Sequence, residues 1–132
     1  MTEASIKTGK SEFGFTIIEL LTVIAIIGIL AAIATPSYKR SIIRSKEASL
    51  RNSLFVMRDV IDQHYADHGK YPASLETLVE KKYIRSVPED PFTRSTQTWI
   101  LIPPDGANLS GVYDVHSGSK KISLTGTPYN EW

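Results

Sequence analysis

A chain of 132 residues has room for one domain, and roughly a third of it is taken up by a leader and an apolar run, so any soluble core is small. Its formal net charge of +1 is spread along the chain, which excludes a broad basic surface, and no nucleic acid is expected as a partner. The absence of cysteine excludes disulfides, thiolate metal sites and cysteine nucleophiles.

In chain order, residues 1–14 read MTEASIKTGKSEFG, a slightly basic leader with Lys7 and Lys10 set against Glu3 and Glu12. From Phe15 to Ala34 runs FTIIELLTVIAIIGILAAIA, in which Glu19 is the only charge. About 20 such residues in a helix cover the roughly 30 Å of a bilayer's hydrocarbon core. The remaining chain is too short to wrap a helix that is apolar on every side, which argues against a buried helix of a soluble protein. The run also exceeds the apolar region of a cleaved secretory signal. Lys39, Arg40, Arg44 and Lys46 follow the span, a stronger basic cluster than the one before it, so the positive-inside rule alone would put the wrong end in the cytoplasm. An acid within a membrane helix marks a functional site by default, which singles out Glu19. Gly28 and Pro36 weaken the helix, and a kink is expected at Pro36.

Beyond Pro36 the pattern becomes amphipathic. Ile43, Leu50, Leu54, Met57, Ile61 and Tyr65 recur at helical spacing and predict one face packed on the globular part. Gly69 and Pro72 predict the helix end. Ser74 reads as the N-cap of a short helix over 75–82 with Glu76 in its first turn. Pro88 and Pro91 enforce an extended path. Strands are then expected at 98–102, 111–115 and 121–124, separated by PPDGAN and SGSK turns, giving a small antiparallel sheet on the helix. The fold class is therefore α+β.

No spacing here matches a nucleophile elbow, a phosphate loop or a zinc motif, so an enzyme is not expected. His64 and His68 stand four apart, which suits a metal on a helix, but near a helix C-terminus they are expected as surface or dipole partners. Trp99, Tyr113, Tyr129 and Trp132 are expected in the core and at its edge.

The string KSEFGFTIIE, Lys10 to Glu19, resembles the cleavage and methylation motif of type IV prepilins, and the likeness continues through LLTVIAIIGILAAIATPSY with Gly28 and Pro36 where that family tends to have them. The resemblance implies cleavage by a prepilin peptidase between Gly14 and Phe15, N-methylation of Phe15, and a division into a leader at 1–14, a membrane and polymerisation helix at 15–36 and a periplasmic pilin-like domain at 37–132. It implies an inner-membrane protein with a cytoplasmic N-terminus, assembled with copies of itself into a periplasmic filament. Glu19 would then meet the Phe15 amino group of a neighbouring subunit, since each charge would otherwise be buried alone in the filament. Helicity would loosen between Gly28 and Pro36 on assembly.

Further on, HGKYP at the helix end, a proline and acid segment before Phe92, a YDV strand and a terminal tryptophan look like the major pseudopilin of type II secretion. That likeness implies a structural subunit of a secretion pseudopilus, with minor pseudopilins, an assembly platform and its ATPase as partners. Alternatives are a subunit of a type IV or DNA-uptake pilus and, from another class, a membrane-anchored ligand-binding domain. The family often binds calcium in its C-terminal loop. Here Asp114, Ser117 and Ser119 are weak candidates, with Glu131 and backbone carbonyls beside them, and Lys120 and Lys121 oppose a cation, so no cofactor is expected.

Overall fold

The computed structural model describes residues 14–132, so residues 1–13, all of the expected leader except Gly14, lie outside it. The chain divides into two compact units, Met1–Arg40 and Ser41–Trp132.

Helix α1, Ile17–His68, is continuous in secondary structure through both Gly28 and Pro36. Its start is fixed locally. Thr16 accepts a hydrogen bond from the Glu19 amide at its Oγ1 (3.1 Å), which satisfies one of the donors a helix start leaves open, and its carbonyl accepts the first helical bond, from the Leu20 amide (3.0 Å). Its end is equally local: Gly69 adopts φ +68°, where a side chain is disfavoured, and its amide returns to the Tyr65 carbonyl at 2.8 Å. Helix α2, Leu75–Glu80, is capped by Ser74 as the sequence predicts, the Thr77 amide donating to Ser74 Oγ at 3.3 Å. It stops short of the expected 82 because Lys82 turns to φ +63°.

Within the second unit the α1 stripe forms one wall of the core. Leu50, Leu54, Met57 and Ile61 are buried as expected, and full burial of each contributes about 1.5–3 kcal/mol. Two expected members are not buried. Ile43 is 37% exposed at the start of the stripe, and Tyr65, 42% exposed, lies flat against Tyr71 with ring centroids 4.4 Å apart. Glu47, Val60 and His64 occupy the face instead. Leu75 and Leu78 of α2, Trp99, Val112, Val115 and Tyr129 close the core from the other side. Tyr113 is half exposed, while Trp132 packs at the edge of Tyr129.

The antiparallel sheet has two strands among the described residues, β1 (Ile100–Ile102) and β2 (Asp114–His116), with Leu101 opposite Val115. Both are shorter than predicted. The third expected strand does not form. Residues 121–129 fold back on themselves instead, the Ser123 amide donating to the Thr127 carbonyl (2.8 Å) and the Tyr129 amide to the Lys121 carbonyl (3.0 Å), so the donors needed for a third ladder are already used. The fold is α+β, a long N-terminal helix packed through its second half on a small antiparallel sheet.

Candidate functional site

The candidate site is the start of α1 and the apolar run behind it. Gly14, Phe15 and Thr16 precede the helix, outside regular secondary structure and exposed. Glu19 stands in the first turn, at the third helical position after the Thr16 cap, where a carboxylate faces the unpaired amides and is favoured by the helix dipole. Among the described residues Glu19 has no ion-pair partner, and Phe15 and Ile17 are 77% and 78% exposed. The run behind it has a mean hydropathy of 2.8 over its best window, and none of that window is buried by the described residues. Its hydroxyls are already silenced: Thr22 donates to the Ile18 carbonyl at 2.8 Å and Thr35 to the Ala31 carbonyl at 2.7 Å. A helix so presented has two stable environments, a bilayer or a sheath of other apolar helices. Gly28 has open space where a Cβ would stand, so nothing inside the chain requires a glycine there.

The calcium candidates are engaged elsewhere. Asp114 Oδ1 accepts from Arg58 Nε at 2.7 Å and from the Val115 amide at 2.7 Å, and Arg58 Nη2 also donates to the Val115 and Trp132 carbonyls. Ser117 donates to the buried Asp90 carboxylate at 2.6 Å, and Ser119 Oγ accepts the Lys121 amide. Among the described residues no group of three or more acidic, histidine or cysteine side chains gathers as a metal site. His64 is not the surface residue expected. It is buried, with Nδ1–H donating to the Lys70 carbonyl at 2.9 Å, which leaves Nε2 without a partner. His68 lies against it with the two rings tilted and their centroids 4.5 Å apart, and its pKa is lowered by desolvation, then by Lys81 and His64.

Two buried carboxylates escaped the sequence reading. Glu47 Oε1 accepts from the Tyr129 hydroxyl (2.8 Å) and the Leu124 amide (2.9 Å), tying the helix to the C-terminal loop. Its position in the Leu50, Leu54, Met57 register was the available signal. Asp90, fully buried, accepts from the Phe92 and Gly118 amides as well as from Ser117. An aspartate between two prolines in an extended segment signalled a side chain used to shape a turn.

A single exposed apolar helix, started by a threonine cap and an acid and continuing into a small α+β unit, defines a protein consistent with single-pass membrane anchoring. The model of the prokaryotic N-terminal methylation motif matches residues 9–35. The chain is 42% identical over 79 residues to the fimbrial protein EcpC of Eikenella corrodens, covering 56% of this chain and 52% of the relative. It is 35% identical over 126 residues to a type IV major pilin protein PilE1 of Neisseria gonorrhoeae, covering 89% and 64%. It is 26% identical over 139 residues to the type II secretion system core protein G of Klebsiella michiganensis, covering 93% and 94%. No solved structure matches the chain. The chain spans about half to two thirds of the length of the pilins it matches. It carries the N-terminal methylation motif of the type IV pilin family and is similar to type IV pilins and to a type II secretion core protein, relatives that are structural subunits, not enzymes.

Proposed function

We propose that the chain is a structural subunit of a type II secretion pseudopilus. The observation that carries this reading over a pilus is the mutual coverage with core protein G, 93% of one chain and 94% of the other, whereas the PilE1 relative extends well beyond the match. In this reading a prepilin peptidase removes residues 1–14, cutting between Gly14 and Phe15 and methylating the Phe15 amine. The span at 15–36 holds the subunit in the inner membrane, with the domain at 37–132 in the periplasm. An assembly platform and its ATPase then transfer subunits from lipid into a filament capped by minor pseudopilins. Glu19 gives each entering subunit a charge that the Phe15 amine of a neighbour neutralises, which fixes axial register. Among the described residues Glu19 has no ion-pair partner, which supports this role.

The higher identity to pilins favours the second reading, a surface or DNA-uptake pilus. Deleting the chain's gene in its host separates the two. Loss of exported protein from the medium with surface pili intact supports the pseudopilus, and loss of pili with export intact establishes the pilus.

A further inference from the structure

The basic cluster after the span runs against the positive-inside rule and has no part in the polymerisation site. Its second half, Arg44 and Lys46, belongs to the same unit as the C-terminal loop. Glu47 pins that loop to the helix through the Leu124 amide at 2.9 Å, beside Lys46 and one turn from Ile43 and Arg44, which lie four and three positions before Glu47 on its face. The pinned loop is a tight fold-back that holds Lys120, Lys121, Ile122 and Leu124 outward. Ile122 is 60% exposed and Leu124 39%. Arg44, Lys46, Lys120 and Lys121 make no ion pair among the described residues, and the acid between them, Glu47, is buried and occupied by Tyr129 and Leu124.

We infer that this rim, formed by Arg44, Lys46, Lys120, Lys121, Ile122 and Leu124, docks on the anionic headgroups of the bilayer that holds the span. Two features select a bilayer as occupant. The charge is of one sign, and cations beside a membrane helix are attracted to anionic lipid by about fivefold in affinity per Lys or Arg, within a Debye length. The apolar tips stand among the cations, the pattern of an interfacial segment that buries a few side chains at the headgroup boundary. Ile43 follows Pro36 by only seven residues, so Arg44 and Lys46 lie on the part of their unit nearest the span along the chain. The docked state holds the domain against the membrane before assembly, and extraction into a filament must break it. The inference rests on the membrane-anchored reading above.

Because the chain has no cysteine, a single reporter is simple to place. Thr125→Cys, in the exposed loop, is labelled with an environment-sensitive dye in the full chain, reconstituted at one copy per nanodisc. The discs hold phosphatidylcholine alone or with 30% phosphatidylglycerol, each with a headgroup-level spin-labelled quencher. An Asn108→Cys label serves as the reference position. Quenching at Thr125→Cys above the reference in the anionic discs, lost at high salt and reduced at least about 25-fold in docking equilibrium by Lys120→Glu with Lys121→Glu, is the expected result. Equal quenching in both lipids, or none above the reference, overturns the proposal. So does a signal that appears only when discs carry two copies, which would make a second subunit the occupant. Circular dichroism of the charge-reversed variant confirms that it stays folded. A chain that fails to enter discs at all refutes membrane anchoring itself and is read separately, by flotation.

Discussion

Glu47 is a carboxylate in the middle of a leucine stripe, and its burial is tolerated because two donors converge on one oxygen. The hydroxyl that it holds is affected in turn: burial, and then the hydrogen bond to Glu47, push the Tyr129 pKa well above its ordinary value near 10. The folded state thus binds that proton more tightly than the unfolded chain, so the contribution is complete below about pH 10 and is lost as pH rises beyond it. Thermal melts across pH 8–11 should show stability falling at the alkaline end. Tyr129→Phe should flatten that fall without removing it, because Tyr71, through desolvation, and Tyr83, through its bond to Asp67, are raised as well. An unchanged alkaline slope in Tyr129→Phe would place the effect elsewhere. Asp90 carries more load. Replacing it with alanine strands the Phe92 and Gly118 amides and the Ser117 hydroxyl, at a cost of about 3 kcal/mol, enough to lower the melting temperature by more than about 10 °C in a unit of this size. The same bonds argue against calcium in this loop. A chelator should leave the melting temperature unmoved, since a cation bound only by the folded state would have raised it by mass action.

Elements follow the same division between local and distant causes. Helix α1 was legible because its signals are consecutive: an unbroken apolar run, then a stripe at helical spacing, then Gly69 and Pro72. Ser74 predicted α2 for a similar reason, since a cap and its amide lie three residues apart. The third strand was misread because residues 121–124 have strand-like composition, while the partners that decide their fate, Thr127 and the Glu47 carboxylate, lie in a turn and on a helix 77 residues away. The buried carboxylates were invisible for that reason too, Asp90 finding Ser117 27 residues on. One glycine tests how tightly the elements are joined. Gly111 adopts φ +109°, and a Cβ there would stand 2.7 Å from the Pro72 carbonyl, the group to which the Val112 amide donates at 2.8 Å. Gly111→Ala must therefore lose the bond that ties the start of the β2 segment to the chain leaving α1. Strain at positive φ together with that loss should cost at least about 2–3 kcal/mol by denaturant melts, whereas Gly28→Ala, with open space around it, should leave the isolated chain as stable or slightly stabilised.

For the whole molecule, the apolar half of α1 is not buried by any of the described residues, so its energetics are settled by what surrounds it. Starting the chain near Ser37 should give a soluble monomer, and filaments formed by such a truncation would show that the span is not the polymerising element. In cells with a prepilin peptidase, mass spectrometry should find a mature chain that begins at N-methylated Phe15. Glu19 tests the assembly mechanism itself. Glu19→Ala makes the span more apolar, so insertion should survive, and cleavage beside Gly14 lies outside the substituted side chain. The Thr16 cap is also kept, because the bond to Thr16 Oγ1 comes from the backbone amide of Glu19 and not from its carboxylate. The helix start therefore remains formed, and any defect is confined to the lost charge. On assembly, each neighbour's Phe15 amine would enter a sheath of apolar helices without a counter-charge, and stranding one member of a buried pair costs roughly 3–5 kcal/mol. At 1.4 kcal/mol per factor of ten, that is a loss of at least about a hundredfold in the equilibrium for adding each subunit. Glu19→Asp keeps the charge on a shorter stem and should fall between the two. The measurement is paired: processed protein by immunoblot, and sheared or crosslinked filaments from the same cells. Wild-type filament yield from fully processed Glu19→Ala would reduce Glu19 to a helix-dipole residue, since the first-turn position alone already favours an acid there.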